Sequence, residues 1–193
     1  VYDRVFKDDE LTFGVSGMLW NSNVLLYDHQ TESLWSQVRG AAVTGPKSGT
    51  RFRTYPSTVT SWKKWRKKYP DTLVLSTDTG YRRDYSRDPY TNYYKERGAG
   101  IWRLFTPAPG EKEKQMIAGL EFGEEKKAYP VELIRARGEV SDTLGGQKFT
   151  LTIDAQTGTL TGRTDSGEEF APTVLYWFVW KAAHPGTGLY GAQ

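Results

Sequence analysis

The sequence predicts an α+β, β-rich fold of two related halves, each built from short antiparallel strands plus one Trp-containing helix. Three observations predict it. The apolar content sits largely in rings, with 7 Trp, 12 Tyr and 8 Phe among 193 residues, and aromatic side chains pack well on pleated surfaces. Leu11, Phe13 and Val15 alternate with Thr12, Gly14 and Ser16, and Phe149, Leu151 and Ile153 alternate with Thr150 and Thr152; that period of two marks a half-buried strand. Finally, two patterns recur in the same order. Trp62-x-x-Trp65-x4-Pro70-x-Thr72 returns as Trp177-x-x-Trp180-x4-Pro185-x-Thr187, and Asp28-x-Gln30-Thr31-x-x-Leu34 returns as Asp154-x-Gln156-Thr157-x-x-Leu160.

The first half is expected over residues 1–110. Its opening strand, at 11–16, is followed by turn residues Gly17 and Asn21-Ser22-Asn23 and a returning strand at Val24–Tyr27. Short strands follow at Leu34–Gln37, Ala42–Thr44 and Arg51–Tyr55. A helix starts near Ser57 or Thr58, either of which can cap it, and Pro70 ends it. Leu73–Leu75 reads as a short strand. Residues 77–100 read as an ordered but irregular segment that holds Tyr81, Tyr85, Tyr90, Tyr93 and Tyr94. Pro107, Pro109, Gly110 and the charged stretch Glu111–Lys114 mark the junction.

The second half, 111–193, is expected to pack on the first as one compact unit. It has an apolar stretch at Met116–Phe122, a turn at Gly123-Glu124-Glu125 and a strand or helix around Tyr129–Arg135. The strand at 149–153 follows Gly145-Gly146, and a final helix over Thr173–Ala183 stops at Pro185-Gly186. Val174, Leu175, Trp177, Phe178, Val179 and Trp180 make that helix apolar nearly all round, so it should be buried. The first helix sets Trp62, Trp65 and Tyr69 against Lys63, Lys64, Arg66, Lys67 and Lys68, so it should be half exposed.

Composition excludes several chemistries. A chain with no cysteine has no disulfide, thiol nucleophile, thiolate zinc site or iron–sulfur cluster. His29 and His184 are the only histidines, too few for a multi-histidine metal site, and neither a metal nor another cofactor is expected. A net charge of +3 is too small to argue for nucleic acid. No apolar run approaches the roughly 18–20 residues that cross a bilayer. No targeting segment is visible, and no phosphate loop, His-Glu-x-x-His helix or EF-hand pattern is present.

Candidate site residues fall in two clusters. Asp28, Gln30, Thr31, Ser33 and Gln37 surround Trp35. Two readings stand for them: a ligand-facing polar strand with an aromatic platform, or a buried hydrogen-bond network that ties a hairpin together. Asp28, His29 and Ser33 are the residue types of a hydrolytic triad, but neighbours on a strand point to opposite faces, against the geometry of a relay. The second cluster is Arg83, Asp84 and Tyr85 with Arg82, Tyr90 and Tyr93. It reads either as an anion- or sugar-binding loop, since Arg offers a planar donor fork and Tyr a stacking face, or as a pin for a long irregular segment. Glu121, Glu124 and Glu125 read as turn residues.

Leu11-Thr12-Phe13-Gly14-Val15-Ser16-Gly17 and Tyr27-Asp28-His29-Gln30-Thr31-Glu32-Ser33-Leu34-Trp35-Ser36-Gln37 resemble the hallmark motifs of a prokaryotic family known only as a domain of unknown function. Gly80-Tyr81-x-Arg83-Asp84-Tyr85, Pro89-Tyr90, Ala128-Tyr129-Pro130 and the closing Trp177-Phe178-x-Trp180 with His184-Pro185 are similar as well. His29 stands where the family pattern usually has Arg. The family also usually carries a Cys-Pro-Leu-Cys segment ahead of the tract matched by Val1-Tyr2-Asp3-Arg4, so the resemblance implies a trimmed product or a short variant. Its members often look exported, which implies an extracytoplasmic location, and it implies no activity.

Three functions are open. The first is a non-catalytic binding or structural domain whose aromatic and Arg-lined site takes a glycan or another polar polymer. The second is a polysaccharide hydrolase or lyase with Asp28, Arg83, Asp84 and Tyr85 near the chemistry. The third is an extracellular assembly subunit that self-associates through an N-terminal sheet edge.

Overall fold

The computed structural model describes residues 1–95 apart from 7, 8, 56 and 58, and residues 114–191. It is α+β and rich in small antiparallel sheets. In chain order, β1 (Val5–Phe6) and β2 (Asp9–Glu10) form a short hairpin. β3 (Phe13–Trp20), β4 (Asn23–Asp28), β5 (Leu34–Ser36) and β6 (Ala41–Thr44) then form a four-stranded meander in sequential order. α1 (Trp62–Lys68) and α2 (Thr91–Lys95) follow, the second inside the irregular, tyrosine-rich segment.

After the undescribed stretch, β7 (Met116–Phe122) and β8 (Glu125–Pro130) pair through a turn at Gly123, whose φ of 57° suits glycine. α3 (Val131–Arg137) has Glu132 in its first turn and Arg135 and Arg137 in its last, matching the helix dipole. Gly138, at φ 81°, ends it. β9 (Glu139–Leu144), β10 (Gln147–Ile153), β11 (Leu160–Thr164) and β12 (Glu169–Phe170) make a second four-stranded meander. β13 (Thr173–Tyr176), α4 (Trp177–Ala183) and β14 (Gly188–Leu189) close the chain, with β13-β7-β8-β14 as a further sheet in which β14 runs parallel to β8.

Four elements differ from their sequence expectation. Thr173–Tyr176 is a strand, with the helix beginning only at Trp177. A short apolar run is ambiguous between the two states, and pairing from Thr173↔Gly119 to Tyr176↔Met116 decides it. The helix expected from Ser57 or Thr58 starts at Trp62, with Ser61 accepting from the Lys64 amide at 3.4 Å; Thr58 itself lies outside the described residues. Leu73–Leu75 is no strand: Leu73 and Leu75 are 96% and 95% exposed, and no strand pairs with them among the described residues. Arg51–Tyr55 contributes single bridges, Ala41↔Arg51 and Tyr2↔Thr54, rather than a ladder. The expected junction at Pro107, Pro109 and Gly110 lies outside the described residues.

Three apolar clusters hold the fold. In the first meander Leu11, Trp35 and Ala42 are buried, with Phe6, Phe13 and Phe52 around them. Phe149, Leu151, Tyr129 and Ile134 lead the cluster between the second meander, β7, β8 and α3. The third joins the two parts of the chain: Val38, which follows β5, packs with Val179, Trp180 and Ala183 of α4 and with Ile117 and Ala128 beneath them. α4 thus buries part of its surface, whereas α1 buries no residue fully.

Candidate functional site

The Asp28 cluster is interior. β4 delivers Asp28 into a tight turn in which its amide donates to the Ser33 carbonyl at 3.1 Å and Glu32 takes φ 56°. The carboxylate accepts from the Thr31 amide at 2.5 Å, the Thr31 hydroxyl at 2.8 Å and the Trp35 indole N–H at 2.8 Å. Ser33 Oγ lies 2.7 Å from Thr31 Oγ1 and accepts from the Lys47 amide at 3.0 Å. Asp28, Ser33 and Trp35 are all 0% exposed. Burial works to raise the Asp28 pKa, but the bonds from Trp35 and Thr31 outweigh it and hold the carboxyl below its ordinary value. A carboxylate so engaged has no open side for a ligand, and Trp35 presents no platform to solvent. Of the two readings, the geometry is that of the buried network.

The other motif residues do not join Asp28 in a cleft. Gln30 is exposed and ties the β3 end to the turn, accepting from the Thr12 amide at 3.0 Å. The Gln37 carbonyl accepts from the Tyr2 hydroxyl. His29 is exposed with its ring 4.8 Å from Tyr27, while Asp28 and Ser33 bond Thr31, Trp35 and Lys47 rather than His29, so the three form no relay. Arg83, Asp84, Tyr85 and Tyr90 are all exposed on the irregular segment. Asp84 accepts from the Ser86 amide at 3.0 Å, Tyr85 Oη is 2.7 Å from Thr79 Oγ1, and the Arg83 guanidinium stands 6.0 Å from the Tyr81 ring.

An open cleft lies elsewhere, where the first meander meets α4 and the β7–β8 hairpin. It has a volume of about 890 Å³, and its walls include Trp20, Arg39, Arg51, Glu121, Lys126 and His184. First-part side chains cap the last carbonyls of α4: Asn21 Nδ2 donates to Ala182 at 3.0 Å and Arg39 Nη2 to Ala183 at 3.2 Å. The Arg39 guanidinium also sits 4.9 Å from the Trp20 ring.

His184 ends the helix. Its amide donates to the Trp180 carbonyl at 2.9 Å and its ring lies 4.1 Å from Trp180. Trp180 is locked in turn, donating to Thr187 Oγ1 at 2.8 Å and resting on Gly119, where any side chain would run into its ring. His184 is 5% exposed, and among the described residues its Nε2 has no hydrogen-bond partner, although Glu121 Oε1 is 3.4 Å away. Burial first, then the positive charges of Lys126, Arg39 and Arg51, lower the imidazole pKa to about 4. The imidazole is therefore neutral at pH 7, and its contact with Glu121 is not an ion pair. Glu121 Oε2 instead faces Arg51 Nη2 at 3.3 Å. Among the described residues no group of three metal-ligating side chains occurs.

Sequence reasoning passed over this site because its members come from five separate places in the chain. One signal was available: in the recurring Trp-x4-Pro-x-Thr pattern, Tyr69 holds the position that His184 holds in the second occurrence. The chain belongs to the DUF3179 family, described as proteins of unknown function, whose family model matches residues 1–171. No curated protein and no solved structure was matched.

Proposed function

We propose that the chain is a non-catalytic binding domain for a glycan or another polar polymer, with its site in the His184 cleft. The observation that carries this reading is a buried, unpartnered imidazole at the wall of an open cleft whose other walls offer guanidinium donors and an indole. Small polar ligands are held by a few placed polar groups beside an apolar or aromatic surface, and Trp20 with Arg39 and Arg51 supplies that mix. The class is the one the sequence suggested, but the residues differ. The exposed Arg83, Asp84, Tyr85 and Tyr90 make a separate candidate surface.

Two further points belong to the same reading. The chain is two copies of one unit, each a four-stranded meander followed by a Trp-bearing helix; the turns at Asp28 and Asp154 and the helix ends at Trp65 and Trp180 support this through matching hydrogen bonds. An extracytoplasmic location fits a polymer ligand.

Nuclear magnetic resonance titration with a panel of neutral and acidic oligosaccharides tests the function. Saturable shifts at the Trp20 indole and around His184 are expected. A panel that gives no saturable shift anywhere overturns the reading, and shifts confined to the Arg83 segment relocate the site. A hydrolase or lyase reading draws on the 3.4 Å approach of His184 and Glu121. Release of new reducing ends or unsaturated products from any bound polymer, lost in Glu121→Gln, would favour it instead.

A further inference from the structure

We propose that the ligand of this cleft is an acidic glycan, and that Arg51, Lys126 and His184 hold one of its carboxylates. The inference rests on the binding reading above and sharpens it.

The first support is a comparison inside the molecule. At the end of α1, Tyr69 occupies the place of His184: its amide closes the same bond to a Trp carbonyl at 2.8 Å, and its backbone is nearly the same, φ −129° and ψ 77° against −133° and 74°. A tyrosine serves that helix end, so the fold does not demand an imidazole there. His184 carries a polar atom into the interior and leaves it unpaired, which costs stability unless something else satisfies it.

The second support is charge. Arg39, Arg51 and Lys126 all act on the imidazole, yet among the described residues only Glu121 stands within ion-pairing reach, and it faces Arg51 through one oxygen. Arg51 keeps further donors free on a side chain that is 65% exposed. A neutral imidazole can donate one N–H to an anion without losing a proton, and two cations beside it supply the counter-charge. Glu124 and Glu125 line the same cleft at the β7–β8 turn. They repel an anion from that rim, whereas Glu121, on the His184 wall, has its charge paired with Arg51. Trp20 remains for the ring of the sugar.

The test is calorimetric titration of the chain with an oligogalacturonide and with its methyl ester at matched length, at pH 7. The ester keeps the sugar and linkage and removes the charge. The acid is expected to bind about 10-fold more tightly or better, the worth of a charge-assisted hydrogen bond, and to weaken as salt rises. Arg51→Gln should remove most of that preference by weakening the acid far more than the ester. His184→Tyr, which copies the α1 end, should do the same. If His184→Tyr does not fold, Arg51→Gln decides alone, since that side chain is largely exposed. Equal affinity for acid and ester, or an acid preference untouched by Arg51→Gln, overturns the inference while the polymer reading stands. If neither these ligands nor the neutral panel bind, both fail.

Discussion

At the end of α1 the Trp65 indole donates to Thr72 at 3.0 Å, and at the end of α4 the Trp180 indole donates to Thr187 at 2.8 Å. The helix before each starts from an extended residue, Ser61 or Tyr176, and stops at a residue of matching backbone angles. The aromatic at the stop lies 4.4 Å from its Trp in one case and 4.1 Å in the other. Yet Trp65 is only partly covered and Tyr69 is 42% exposed, while Trp180 and His184 are 1% and 5% exposed. Near-identical local bonding produces a surface element at one site and a core element with a cleft at the other. What differs is the partner: α1 meets the Asp154 turn, with Thr60 donating to the Thr157 carbonyl, whereas α4 is wedged onto Gly119 and capped by Asn21 and Arg39.

The sharpest way to break the comparison is to remove the two indoles. Trp180→Ala opens a core cavity and should cost about 4 kcal/mol. Trp65→Ala loses partial burial and should cost about 1 kcal/mol. Urea denaturation measures both, and equal losses would mean that the two helix ends are energetically alike.

The paired turns offer the next test. Asp28→Ala strands the Trp35 N–H and the Thr31 amide in the interior and should cost about 3 kcal/mol. Asp154→Ala, on an exposed turn whose carboxylate accepts from Thr157, should leave the denaturation midpoint nearly unmoved. Asp28 also has a lowered folded-state pKa, so its stabilisation is present above pH 3.8 and is lost as the pH falls through the folded value.

His184 separates the two helix ends by pH. Its folded pKa of about 4 lies below the ordinary 6.5, so the unfolded chain binds the proton more readily. The resulting stability is full above pH 6.5 and falls as pH drops toward 4, by roughly 1 kcal/mol per pH unit at its steepest. Melting curves across that range should lose this slope in His184→Tyr. A slope that persists there would place the titration on another group. A small effect is expected from the hydroxyls: Thr187→Val should cost about 1 kcal/mol and Thr72→Val about half that, because solvent can replace the Thr72 acceptor more easily.

Much of the strand pattern could be read from residues, because alternation at 11–16 and 149–153 is a local property that follows the pleat. The Asp28 turn was legible in the same way, since Asp, Thr and Ser bond their own backbone within a few residues. Thr173–Tyr176 was misread as helix because its state depends on β7, some 55 residues away, offering an edge. The cleft was illegible for a related reason: Trp20, Arg39, Arg51, Glu121 and His184 share no local pattern.

The sequence by itself determined the α+β character, the capping turns and the two Trp-Thr helix ends, each of them an interaction within about ten residues. Only the tertiary structure decided which of those helix ends would be buried and which motif residues would face water. It also decided that a histidine at position 184 would stand neutral among three cations. Burial and electrostatic fields are sums over neighbours brought together from the whole chain, and no local spacing of residues encodes them.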